Sequence, residues 1–337
     1  MTKKISSLQL AAVMLCMSFS GIAAYRPEGT SLTAAAVSEI LCSALLFLAA
    51  VPLFRRGKQA LRGKAASAVF LVFGAFYLCI MLQDLAYTLQ YAFPRLYSSA
   101  AVIALTAAAA LYCASMGTRA CAKAACPILA LAVLFTLLTC IGASEHFALY
   151  RIALPGSPVP ELERALTAAA SRSGEIAVFA ALLPKSDAKP LRTAAVYSLF
   201  RAAAGAALLL FTKGVLGSLA DQGQPVFMLS SCSKTAVIER FDAAVLLVWV
   251  LAVCISCAVI AGLASDSLAV LFPMKNKLHL GAVFCAGCAA AALAAFSEGF
   301  AADIDTGAVP VMSVGLMVLC LAAAYLSAAN SALKRKG

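Results

Sequence analysis

Lys and Arg fall in alternate gaps between apolar runs, and few folds fit that pattern. The basic gaps hold Lys3 and Lys4, five residues from Arg55 to Lys64, and Arg119 with Lys123. Further along they hold three residues from Lys185 to Arg192, then Lys275 and Lys277, then Lys334 to Lys336. Together these are 17 of the 26 basic residues. The other gaps carry most of the acids: Glu28, Glu145, Glu161, Glu163, Asp221, Glu239, Asp242, Glu298, Asp303 and Asp305. Basic loops are retained on the cytoplasmic side of a membrane. The alternation therefore predicts an all-α integral membrane protein of ten transmembrane helices, with both termini cytoplasmic.

Composition excludes the soluble alternatives. The chain is 63% hydrophobic and 12% charged, where a soluble domain carries about 25% charge. Ten spans of about 20 residues take up well over half of its 337 residues and leave no soluble domain of useful size. One transmembrane domain, 1–337, is expected. The net charge of +11 sits in short loops beside spans, where it orients the protein and meets anionic membrane lipid. Nucleic acid is not an expected partner.

The spans are predicted at 7–24, 32–54, 66–91, 97–115, 127–143, 166–184, 193–216, 242–263, 280–296 and 308–333. Pro94-Arg95 marks an outer turn, and Pro127 is placed at a helix start, where its missing N–H costs little. Two longer outer segments are expected, 144–164, with an interfacial helix around Glu161-Leu162-Glu163-Arg164, and 217–241, rich in Gly and Ser. Residues 1–24 also match a signal peptide. Retention as the first crossing is expected, because every later span fits it.

Thirteen cysteines lie mostly inside spans, where Cys behaves as a small apolar residue. The pairs Cys254/Cys257 and Cys285/Cys288 have C-x-x-C spacing, but their Ala-rich surroundings point to close helix packing. No metal or cofactor is expected. There is no Ser-His-acid arrangement and no phosphate loop, and His146 and His279 sit near loop ends. Enzymatic activity is not expected.

Ten spans divide into two fives, 1–143 and 166–333. The second five enters from the opposite side, so the halves are inverted. Transporters of this kind place their ligand between the repeats, at interrupted first helices. Matching interruptions are predicted at Ser18-Phe19-Ser20-Gly21 in span 1 and Ser171-Arg172-Ser173-Gly174 in span 6. Gly lets a helix unwind and Ser offers hydroxyls. The freed N–H groups suit a carboxylate and the freed carbonyls an ammonium group or cation. The candidate ligand residues are therefore Ser18, Ser20, Gly21, Ser171, Ser173, Gly174 and Glu175. Ionisable side chains inside spans are functional candidates by default. Glu39, Asp84 and Arg201 are read as a coupled polar layer, Glu39 and Asp84 each roughly 10 Å deep at 1.5 Å per residue.

Three motifs support a resemblance. Lys4-Ile5-Ser6-Ser7-Leu8-Gln9-Leu10 resembles the start of spore germination permeases, the B subunits of nutrient germinant receptors. Gly174-Glu175-Ile176 leading to Leu182-Leu183-Pro184-Lys185 is similar to that family's Gly-Glu to Leu-Pro passage. Ile238-Glu239-Arg240-Phe241-Asp242 with Trp249 resembles its R-x-D entry and following Trp. The family's Leu-Pro late in helix 1 is replaced here by Tyr25-Arg26-Pro27. The resemblance implies the amino acid–polyamine–organocation superfamily, an inner spore membrane location, and partnership with receptor A and C subunits. Function is then expected to be binding of a small nutrient, an amino acid, between helices 1 and 6 to trigger germination. An ion-coupled secondary amino-acid transporter and a non-binding structural partner are the competing readings.

Overall fold

The computed structural model describes residues 4–27, 30–56, 63–93, 98–152, 158–234, 241–272, 277–297 and 308–333. Among these, twelve α-helices follow one another. They are α1 Ser7–Ala23, α2 Leu32–Arg56, α3 Lys64–Ala92, α4 Ser99–Ser115, α5 Thr118–Ala143, α6 Pro158–Ser171 and α7 Glu175–Leu182. Then come α8 Pro190–Leu216, α9 Pro225–Cys232, α10 Asp242–Leu271, α11 Lys277–Ser297 and α12 Ala308–Leu333. Eight helical stretches are long and apolar enough to cross a membrane, α6 and α7 together forming one of them. The 17-residue apolar helices α1 and α4 complete ten spans.

Part of the packing repeats between the first five spans and the last five. Counting α6 with α7 as one span, several contacts have a counterpart five spans away. α1 packs on α5 and α6 on α12; α3 on α4 and α10 on α11; α4 on α10 and α11 on α3; α5 on α10 and α12 on α3. The pairs α2 with α8 and α3 with α10 map onto themselves. Five crossings per half is an odd number, so the two halves run in opposite directions. The symmetry is incomplete: α1 packs on α10 with no matching contact of α6 or α7 on α3. α12 packs on α2, whereas α5 stands off from α8, leaving an apolar groove of ≈ 470 Å³ with Phe19, Val133, Leu137 and Phe200 in its walls. Leu137 and Phe200 are exposed, so the groove faces lipid.

α10 runs through the middle of the bundle and is apolar on every side, as a buried helix is. Ala252, Ala258, Ala261 and Ala264 on it are fully buried. Small side chains let backbones approach closely where lipid supplies no hydrophobic drive between helices. The basic end is tied by backbone pairing: Ile5 N–H donates to Lys185 O at 3.1 Å and Asp187 N–H to Ile5 O at 3.0 Å. Ser6 caps α1 in a reciprocal box with Gln9. Lys185 and Lys277 both pair with Asp266 of α10.

Several boundaries differ from the sequence reading. Pro127 lies inside α5, which begins at Thr118. Gly117, at φ +91, turns the chain so tightly out of α4 that Arg119 and Lys123 fall within the helix. The residues Glu161 to Arg164 form the start of α6, not a separate interfacial helix. α10 extends eight residues past the expected 263. The segment 217–241 contains a helix, α9. All thirteen cysteines are free. The predicted turn at Pro94-Arg95, residues Ile238-Glu239-Arg240, and Lys3, Glu28, Lys275, Glu298, Asp303, Asp305 and Lys334 to Lys336 lie outside the described residues.

Candidate functional site

Span 6 is interrupted as expected, at the turn 172–174 between α6 and α7. The backbone there tightens instead of unravelling: Ser173, Ile176 and Ala177 N–H each donate three residues back, as in a 3₁₀ turn. Two carbonyls are thereby left without a helical partner. Ser313 of α12 donates to Ser171 O at 2.9 Å, and Tyr77 of α3 donates to Arg172 O at 3.3 Å. Neighbouring helices satisfy the break, as the absence of water in a membrane core requires.

Span 1 corrects the expectation. α1 runs unbroken through Ser18 and Gly21 to Ala23. The hydroxyls predicted to open it bond back to their own helix: Ser18 to Met14 O at 3.1 Å and Ser20 to Met17 O at 2.7 Å. Ser171 and Ser173 do the same, to Ala168 O and Ala169 O. A hydroxyl spent this way bends a helix slightly without breaking it. A methyl group at Gly21 would lie 3.5 Å from both the Cβ and the carbonyl of Arg172, in ordinary contact, so the two spans pack closely here. Of the predicted ligand-binding serines, Ser18 reaches furthest, to Glu175.

Two charged clusters surround this crossing. In the first, Arg201 of α8 forks between two carboxylates. Its Nη1 donates to Glu175 Oε1 at 2.5 Å, and its Nη2 to Glu39 Oε2 at 3.1 Å. Tyr197 also donates to Glu175 Oε1 at 2.5 Å, and Ser18 Oγ stands 2.9 Å from the same oxygen, its single hydrogen shared between it and Met14 O. Glu175 is 0% exposed, and its other oxygen has no partner among the described residues. Glu39, Glu175 and Arg201 thus form one network, and Asp84, read from the sequence as part of the same layer, is not in it.

Asp84 belongs to the second cluster. Its Oδ1 accepts from Arg26 Nη2 at 3.0 Å, and its Oδ2 stands 3.7 Å from Arg172 Nη1. That same Arg172 nitrogen donates to Gly21 O at 2.9 Å. Arg26 also lies over the Tyr87 ring, 3.7 Å from its centroid. Asp84, Arg172, Ser20, Tyr77 and Trp249 line a cavity of ≈ 30 Å³, room for one or two waters. A smaller cavity of ≈ 10 Å³, shared by Glu39 and Arg172, links the clusters. Arg26, Arg172, Tyr77 and Tyr197 are the site residues that sequence reasoning missed. Arg172 carried a signal, a charge in the middle of an apolar span. The tyrosines carried none, because apolar spans commonly hold them.

Trp249, the chain's only tryptophan, closes the cavity. Its Nε1 donates to Ser20 O at 3.0 Å, and Phe227 of α9 packs edge-on against its ring at 5.4 Å. Ser20 O also accepts from Ala24 N–H at 3.3 Å. Trp249→Phe leaves that carbonyl with one partner, so the expected cost is only about 1 kcal/mol, measured by thermal unfolding in detergent. The wild-type indole emission should shift when a ligand enters the cavity.

No protein-family model and no curated protein matches the sequence. Among solved structures, the chain is similar to Mhp1, a nucleobase-cation-symport-1 family transporter, in a closed conformation with bromovinylhydantoin bound. The likeness covers 95% of this chain and 76% of Mhp1, at 15% identity and a TM-score of 0.56. The fold is that of a membrane transporter. A manganese transporter of Eremococcus coleocola, in complex with an aromatic bis-isothiourea compound, aligns over 95% of this chain and 78% of its own, at 12% identity and a TM-score of 0.40.

Proposed function

We propose that this chain is the ligand-binding membrane subunit of a spore nutrient-germinant receptor, taking an amino acid between spans 1 and 6. The observation that carries this reading is the polar cavity at the interrupted span 6, walled by Arg172, Asp84 and Trp249. It lies in a fold shared with a transporter whose structure holds a bound hydantoin. The motifs at Lys4, Gly174 and Trp249 support the receptor family. The halves 1–143 and 166–333 would be its repeats, and receptor A and C subunits its partners in the inner spore membrane. Ligand would act by binding one arrangement of the halves better than the other.

A second reading, an ion-coupled amino-acid transporter, is favoured by the Glu39–Arg201–Glu175 network, since buried ionisable groups mark ion pathways in membrane proteins. Purified protein in liposomes separates the two. Labelled amino acid bound without accumulation is the receptor's result. Accumulation driven by an ion gradient is the transporter's and would overturn the first reading. Absence of both would remove the binding function. The proposed orientation puts exposed Cys232 of α9 on the outer side. A membrane-impermeant maleimide should label it in intact cells but not after Cys232→Ser; no labelling would reverse the topology.

A further inference from the structure

The groove between α5 and α8 has the dimensions of a lipid tail. Its walls run from Leu129 to Cys140 on α5 and from Phe200 to Phe211 on α8, with α1 behind them. Eleven residue steps on each helix, at about 1.5 Å per residue, make it roughly 16 Å long. That is about half of a hydrocarbon core roughly 30 Å thick, the depth of one leaflet. Spread over that length, ≈ 470 Å³ corresponds to a channel about 6 Å across. From these dimensions we infer that the groove holds one acyl chain of a membrane phospholipid, whose second tail and headgroup stay in the bilayer. The site is separate from the polar cavity and does not depend on what binds there.

Three observations select this occupant. A transmembrane helix is about 10–12 Å across with its side chains, too wide for the gap. A polar ligand finds little to hold. Apart from Thr136, the polar wall residues are Ser18 and Arg201, and both are engaged in the network with Glu175. Lipid, in contrast, is what the groove faces. α5 is the least buried of the eight long spans, and Val133, Leu137 and Phe200 are exposed.

Hydrophobic burial does not draw the chain in, because a lipid tail is already in apolar surroundings. Retention comes from packing. A seated chain touches three helices at once, and its dispersion contacts add up along its length. In the other half, α12 packs directly on α2. The acyl chain takes the place of that helix contact and sets the spacing of α5 from α8.

The test uses the full-length protein in dioleoylphosphatidylcholine vesicles, extracted into detergent, washed and examined by native mass spectrometry. One phosphatidylcholine per protein is expected to survive washing. In the same vesicles, a phosphatidylcholine with a diazirine on one acyl chain should label Val133, Leu137 and Phe200 above other exposed positions. Ala204→Phe and Ala207→Phe each place a ring in the groove from an exposed position. Each should lower lipid retention about 10-fold or more, because overpacking costs at least that much. Ala203→Phe, exposed on the same helix outside the groove, should leave retention unchanged. Retention and the labelling map on unmodified protein need no variant, so a misfolded variant does not spoil the test. No retained lipid, uniform labelling of exposed residues, or equal retention in groove and control variants overturns the inference. A dimer cross-linked through groove residues overturns it too, by placing a second copy there.

Discussion

Arg201→Ala is expected to lose most of its folded protein. The guanidinium is the ion-pair partner of both Glu39 and Glu175, which are 6% and 0% exposed. Removing one partner of a buried pair costs about 3–5 kcal/mol, a large share of the 5–15 kcal/mol that holds a typical domain. Here one deletion strands two carboxylates that also repel each other. Arg201→Lys should rescue only part of the loss. One ammonium cannot reproduce a fork with Nη1 on Glu175 and both Nε and Nη2 on Glu39, which is the geometry that separates Arg from Lys. The checks are monodisperse yield and thermal unfolding in detergent. Wild-type stability in Arg201→Ala would mean the network is not formed as described. Adding Glu39→Gln to Arg201→Ala should recover stability, because it removes one of the two stranded charges.

Gly174→Ala is expected to damage the site through one methyl group. A Cβ at this position falls 2.7 Å from Tyr77 Cε2, closer than real side chains approach. Tyr77 has little freedom to yield. Its ring stacks on Phe73 at 5.5 Å, its hydroxyl holds Arg172 O, and it is buried. Overpacking of this kind costs about 1–3 kcal/mol. Its larger effect falls on function, because the turn 172–174 carries Arg172 into the cavity and Glu175 into the Arg201 network. Loss of amino-acid binding is expected for Gly174→Ala and, more severely, for Gly174→Leu. The pairing gives a control: Tyr77→Leu should make room, so the double variant should lose less stability than the single effects added together. Simple additivity in that cycle would mean the two positions do not touch.

Much of the architecture was legible beforehand, for a physical reason. A membrane core offers no water to the backbone, so any chain with ten apolar runs of this length must cross as helices. The break in span 6 and the candidacy of Glu39, Asp84, Glu175 and Arg201 were legible on the same ground, since Gly beside Ser and buried charge are both costly in a helix there. The matching Ser18-to-Gly21 signal misled. Composition does not say whether a serine hydroxyl will leave its helix or bond back to it, and Ser18 and Ser20 both bond back. The start of α5 was misplaced because the positive-φ turn at Gly117 outweighs the usual placement of Pro127.

The sequence by itself determined that this is an integral membrane protein of ten helical spans in two opposed fives, with charge buried inside it. Only the tertiary structure decided which charges meet. Arg201 joins Glu39 and Glu175, while Asp84 goes to Arg26 and Arg172. Partner choice depends on which helix faces cross at a given depth, and residues 162 positions apart, such as Glu39 and Arg201, carry no local mark of that crossing.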